Sequence, residues 1–166
     1  HALVKNSRFP VSLSNLEINK KNVLDTITSI TGADTTPLVG SSGLSIQYAI
    51  MMGLIDYAQE NYKGKPIKFI VPPNCYGGTN DQARRVAACN KSVEVIDLPV
   101  DGEHDMVQSI DVILAEIATQ DAVPFIIAEI PTNPRVEVPD LQQLKAVLEK
   151  KRTTKEGMNA IDAVFI

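Results

Sequence analysis

Three short motifs contain residue types that could bind a flat, phosphorylated molecule. "GSSGLS" at 40–45 opens a long helix-forming stretch, "YGGT" at 76–79 follows the apolar run "IKFIVPP", and "EIPTNP" at 129–134 follows "PFIIA". The unpaired backbone N–H groups of a helix start favour an anion such as a phosphate. A tyrosine ring can stack on a heteroaromatic ring, which contributes about 0.5–1.5 kcal/mol. The three motifs together predict a planar, phosphorylated ligand.

Each motif also has a simpler explanation. Ser42 and Gly43 are typical of an ordinary capped helix start, and the segment lacks the lysine and the spacing of an ATP-type phosphate loop. Tyr76 could instead cover the edge of the core. The prolines of the third motif would hold the Asn133 amide in one direction, beside a Glu129 that leaves the sheet on the same side, but they also suit a plain turn.

The motifs lie at the ends of predicted strands or at helix starts. Short apolar runs alternate with amphipathic stretches, which is typical of β-α-β units. We therefore predict an α/β fold with a mainly parallel sheet and flanking helices. Ligands of such sheets bind at the carboxyl ends of the strands, near a switch in strand order. The predicted strands are 67–71, 93–98, 124–128 and 162–166.

Capping residues and breakers set the predicted helices. The stretch from Ser41 to Gly64 is apolar almost all round a helix, which predicts a buried helix. Another helix is expected from Thr79, capped through Gln82. The remaining helices are one with a Ser14–Glu17 capping box that ends at Gly32, one that carries Met106 to Ile117, and one that starts at Pro139.

Composition narrows the class of partner. The 166 residues, 44% of them hydrophobic, suffice for one ordinary core, and a net charge of −4 without a basic stripe argues against nucleic acid and anionic membranes. Cys75 and Cys89 form no disulfide framework, His1 and His104 are isolated, and no window resembles a membrane span. We expect a small-molecule or protein partner, no metal site and a reducing, cytoplasmic setting.

Taken in order, the motifs resemble those of the Cys/Met-metabolism family of pyridoxal-phosphate enzymes, which includes cystathionine γ-synthases, cystathionine β-lyases and methionine γ-lyases. The family pattern has a serine-serine-glycine helix start, then "YGGT", then a segment matched here by "EIPTNPRVEVPD". The resemblance covers nearly the whole chain. It implies the large domain of a fold-type I, aspartate aminotransferase-like enzyme over 14–166, preceded by an amino-terminal arm over 1–13.

The resemblance also implies roles for individual residues. Tyr76 matches the catalytic residue that stacks on the pyridine ring of pyridoxal 5'-phosphate and assists proton transfer. Gly43 and Leu44 match the backbone donors to the phosphate, and Ser42 lies beside them. Asn133 matches the side chain near the ring hydroxyl.

Other parts of the family site are altered or missing. "KNSRFP" keeps Arg8, which in the family reaches the phosphate of a neighbouring subunit, but has Asn6 or Ser7 where a tyrosine is expected. The carboxylate for the ring nitrogen and the lysine that forms a Schiff base with the cofactor are expected beyond Ile166. Lys155 in "RTTK" is interpreted as a surface lysine.

The resemblance implies a lyase or transferase that eliminates or replaces a β- or γ-substituent of a sulfur or oxygen amino acid, with cystathionine-type substrates. The full-length protein would be a homodimer or homotetramer, and this chain would be inactive alone. Two alternatives stay open at this point. One is a non-enzymatic α/β module that binds another phosphate ligand, and the other is a degenerate regulatory subunit.

Overall fold

The computed structural model describes residues 15–73, 75–100, 105–133 and 136–166. It divides the chain into two compact units, His1–Ser41 and Ser42–Ile166. No helix among these described stretches is long and apolar enough to cross a membrane.

The first unit contains helix α1 (Leu16–Thr31), in which no residue is buried. Asn15 is its N-cap and makes no side-chain capping bond, while Ser14 of the predicted capping box lies outside the described residues. Gly32 ends the helix with φ 66°, as predicted, and its N–H donates to Thr28 O. Glycine adopts this left-handed conformation without the penalty that a Cβ would add.

The second unit is an α/β fold in which four parallel strands are flanked by helices, which confirms the predicted fold class. Its sheet has the order β2-β1-β3-β4. The chain moves outward from β1 to β2 and then crosses to β3 on the other side, so the strand order switches between β1 and β3. The elements are α2 (Gly43–Asn61), β1 (Ile67–Val71), α3 (Gly77–Cys89), β2 (Val93–Asp97), α4 (Met106–Thr119), β3 (Val123–Ile126), α5 (Leu141–Glu149) and β4 (Val164–Phe165).

The two faces of the sheet support separate apolar clusters. Phe69 and Phe125 pack on the face covered by α2 and α3, whereas Ile70 and Ile126 pack on the face covered by α4 and α5. Because side chains alternate along a strand, Lys68 shares the second face with Ile70. Lys68 is 7% exposed and pairs with Glu94, its register partner on β2.

Three helix predictions need correction. Helix α2 is not buried all round, because only its side against the sheet is covered and only Met51, Ile55 and Ala58 are buried. Helix α3 begins at Gly77 rather than at Thr79, and α5 begins after its cap Asp140 rather than at Pro139. The predicted starts followed local capping patterns, whereas the observed start of α3 depends on contacts with other elements.

The segment after α5 is held to α4 by charge pairs. Asp111 accepts hydrogen bonds from Lys150 Nζ at 2.8 Å and from Arg152 Nη2 at 2.6 Å. These two cations hold the pKa of the Asp111 carboxyl below its usual value. Lys155 is exposed in a turn that precedes β4, as expected for a surface lysine.

Candidate functional site

Tyr76 lies in the turn that joins the carboxyl end of β1 to α3. It is the N-cap residue of α3, with φ −48° and ψ 120°, and its carbonyl accepts the Thr79 N–H at 2.8 Å. The residue is 52% exposed, so much of its ring is accessible to a ligand. This exposure does not suit a tyrosine whose only role is to cover the core.

The start of α2 presents unused hydrogen-bond donors. Ser42 caps the helix: its Oγ accepts the Ser45 N–H at 3.1 Å, while Ser45 Oγ accepts the Ser42 N–H at 2.9 Å. Within the described residues, the backbone N–H groups of Gly43 and Leu44 make no hydrogen bond. Both residues are exposed. Free N–H groups at the positive end of a helix suit an anion.

The starts of α2 and α3 meet over Gly78. A Cβ built on Gly78 would lie 2.6 Å from Tyr76 Cε1 and 2.8 Å from Leu44 Cδ2, so the ring of Tyr76 and the side chain of Leu44 both rest on this glycine. The two helix starts therefore lie together, at the carboxyl edge of the sheet that β1 defines.

Two glutamine side chains connect α2 to α3 by hydrogen bonds. The Thr79 hydroxyl accepts from Gln47 Nε2 at 3.0 Å and donates to Gln47 Oε1 at 3.1 Å. Gln82 Nε2 donates to the Leu44 carbonyl at 3.0 Å, so it joins α3 to α2 rather than capping a helix that starts at Thr79. Sequence reasoning missed Gln47, because a single glutamine within an apolar helix carries no signal of a partner from another helix.

Glu129 connects the turn after β1 with the loop after β3. Its Oε1 accepts the Tyr76 N–H at 3.1 Å. Burial raises the pKa of the Cys75 thiol, and the nearby Glu129 carboxylate raises it further. The bond from Tyr76 to Glu129 thus crosses the position where the strand order switches. The sequence predicted that Glu129 lies on this side of the sheet but did not predict its hydrogen bond with Tyr76.

Asn133 is not joined to the other candidate residues. It is exposed, in a turn where the Val136 N–H donates to Thr132 O at 2.8 Å, and within the described stretches its side chain makes no hydrogen bond. Arg8, and with it the predicted arm over 1–13, lies outside the described residues.

The arrangement suits a flat anion. The free N–H groups of Gly43 and Leu44 would hold the anionic end, and the exposed ring of Tyr76 would contact a planar end. These donors and this ring are two of the contacts that pyridoxal phosphate would need, one for its phosphate and one for its pyridine ring. Within the described residues, no lysine hydrogen-bonds to Ser42, Tyr76 or Glu129. Among the same residues, no cluster of His, Cys, Asp and Glu could hold a metal ion.

The chain matches no protein-family model, and no relative is found among curated proteins. The family resemblance therefore remains a prediction based on the motifs.

Proposed function

We propose that this chain is part of the large domain of a fold-type I pyridoxal-phosphate enzyme, a lyase or transferase of sulfur amino acid metabolism. The observation that carries the proposal is the meeting of two features over Gly78. The Leu44 side chain and the exposed ring of Tyr76 meet at Gly78, beside the switch in strand order. Within the described residues, the backbone N–H groups of Gly43 and Leu44 at this helix start make no hydrogen bond. A phosphorylated ring needs these two contacts side by side.

Each residue has a defined task in this proposal. The N–H groups of Gly43 and Leu44 bind the phosphate, with the Ser42 hydroxyl next to them. Tyr76 stacks on the pyridine ring, and its hydroxyl moves protons at the substrate amine. Asn133 approaches the ring hydroxyl. When bound, the cofactor supplies an electron sink for elimination or replacement reactions of a small amino acid.

The remaining parts of the proposal concern the full-length protein. It is a cytoplasmic homodimer or homotetramer, with Arg8 reaching the phosphate of a neighbouring subunit. The lysine that binds the cofactor covalently is supplied from outside the residues described above, and this chain alone is inactive.

Binding of pyridoxamine 5'-phosphate to the 166-residue chain tests the proposal. This ligand carries an amine in place of the aldehyde, so it cannot bond covalently to surface lysines. We expect tighter binding, by calorimetry, than for either pyridoxamine or inorganic phosphate alone. Tyr76→Leu should weaken binding by up to about tenfold, which corresponds to the upper range for ring stacking.

Tyr57→Leu is the matched control, because Tyr57 is 45% exposed, close to the 52% of Tyr76, but lies 13 residues after Leu44, about 20 Å along α2. This variant should bind as the wild type does. Equal losses in the two variants, or equal affinity for pyridoxamine with and without its phosphate, would contradict the proposal.

A module that binds another phosphate ligand is the second candidate, favoured because no lysine among the described residues hydrogen-bonds to Tyr76. In that case inorganic phosphate would bind as tightly as pyridoxamine 5'-phosphate, and Tyr76→Leu would leave both affinities unchanged.

A further inference from the structure

The backbone N–H of Tyr76 donates a hydrogen bond to the side chain of Glu129, a residue from a distant part of the chain. Among the described residues, Glu129 is the only side chain that accepts from this N–H. The two residues follow β1 and β3, which are adjacent parallel strands. The carboxylate is half-buried, and its Oε1 lies 3.1 Å from Tyr76 N. A hydrogen bond from a backbone N–H to a charged acceptor is stronger than one between neutral groups.

The position of the Tyr76 ring depends on few other constraints. As N-cap residue, Tyr76 lies outside the regular helix, and its side chain makes no hydrogen bond within the described residues. The ring lies against Gly78, which has no side chain that could pack around it. The backbone of Tyr76 is held at its carbonyl by Thr79 and at its N–H by Glu129.

We propose that Glu129 is a positioning residue that fixes the Tyr76 ring through the Tyr76 backbone N–H. The inference rests on the proposed function, since the ring matters as the surface on which a ligand stacks. Glu129 does not touch the ligand in this role. Without the carboxylate, the Tyr76 N–H loses its partner and the turn gains freedom, so the ring must be ordered when the ligand binds.

Hydrogen exchange of the Tyr76 amide, measured by NMR on the ligand-free chain, tests the contact directly. Glu129→Ala should accelerate this exchange at least about tenfold, as expected for loss of a hydrogen bond to a charged group. Glu129→Gln keeps an acceptor oxygen and should give a rate between those of Glu129→Ala and the wild type. The Leu98 and Ile127 amides, which donate to Val71 O and Ile70 O, should exchange as in the wild type.

A double-mutant cycle tests the effect on the ligand. Glu129→Ala should weaken pyridoxamine 5'-phosphate binding about three- to tenfold when Tyr76 is present, and less than about twofold in a Tyr76→Leu background. A purely structural role for Glu129 would produce the same loss in both backgrounds and would overturn the proposal.

The two measurements separate this inference from the proposed function. Unchanged exchange at Tyr76 in Glu129→Ala overturns the positioning role, whatever the ligand does. If the wild-type chain does not bind pyridoxamine 5'-phosphate, the proposed function fails, and the exchange rates still decide whether Glu129 holds Tyr76 in place.

Discussion

Tyr76 and Leu44 share one contact surface, the bare Cα of Gly78. A methyl group there would lie 2.6 Å from Tyr76 Cε1 and 2.8 Å from Leu44 Cδ2. Both neighbours are side chains at least 38% exposed, so they can move away into solvent. A change at Gly78 should therefore displace the ring without damaging the core.

Gly78→Ala should preserve the fold and weaken the site. Alanine favours a helix by up to about 1 kcal/mol over glycine, so the melting temperature should stay the same or rise. The displaced Tyr76 ring should reduce the affinity for pyridoxamine 5'-phosphate about two- to tenfold. Gly77→Ala is the control, since a Cβ at Gly77 meets nothing within 4 Å. Identical affinities for the two variants would contradict this prediction.

Two substitutions of Ser42 should distinguish its role in capping α2 from the binding of an anion at the start of this helix. Ser42→Ala removes the acceptor of the Ser45 N–H and should cost about 1 kcal/mol of unfolding free energy, measured by urea denaturation. Ser42→Asp restores a capping oxygen and should recover that stability. Its negative charge should nevertheless repel a phosphate, so binding of pyridoxamine 5'-phosphate should fall below that of Ser42→Ala. Equal or stronger binding by Ser42→Asp would exclude the start of α2 as the phosphate site.

The ion pairs of Asp111 should make the free energy of unfolding depend on pH. Its folded-state pKa is lowered by Lys150 and Arg152, so its contribution is fully present above the usual carboxyl pKa and is lost as pH falls through the lower folded value. At neutral pH, Asp111→Asn should cost about 1–3 kcal/mol of unfolding free energy, because Arg152 stays largely covered without its anion. The difference between the wild type and Asp111→Asn should shrink below about pH 4.

The control for Asp111 is the exposed pair of Lys21 with Asp25 on α1. Asp25→Asn should change stability by less than about 0.5 kcal/mol, since exposed pairs at this helical spacing contribute little. A difference between the wild type and Asp111→Asn that stays constant from neutral pH to pH 3 would contradict the assignment.

Substitution of Glu94 should destabilise the protein more than substitution of its buried partner Lys68. Glu94→Gln leaves the buried Lys68 ammonium without its counter-charge and should cost about 1–3 kcal/mol of unfolding free energy. Lys68→Met keeps the apolar stem, removes the buried charge and should be neutral or stabilising. Urea unfolding of the two variants tests this order, and a larger loss for Lys68→Met would contradict it.

The sequence predicted the sheet better than the helix starts. The four strands were located within a few residues, because apolar runs such as "IKFIV" bury both faces and are bounded by turns. Tyr76, the N-cap residue of α3, makes no side-chain capping bond, so no capping pattern could mark the true start at Gly77. Helix α2 looked buried because its apolar residues surround the axis, yet only its sheet-facing side is covered.

The candidate site was only partly predictable. Leu44 and Tyr76 come together because each lies at a helix start near the carboxyl edge of the sheet, and strand topology determines that arrangement. The contact between Gln47 and Thr79 and that between Glu129 and Tyr76 depend on side-chain reach between distant segments. Local patterns do not encode such distances.

The half-exposed ring of Tyr76 also gives the protein an optical signal of its own. The chain has four tyrosines and no tryptophan, so tyrosine emission is not masked by a brighter indole. The rings of Tyr57 and Tyr62 lie 6.0 Å apart at the far end of α2, away from the candidate site. Subtracting the emission of Tyr76→Leu from that of the wild type isolates the fluorescence of one ring, and its quenching would follow a stacked ligand without any added label.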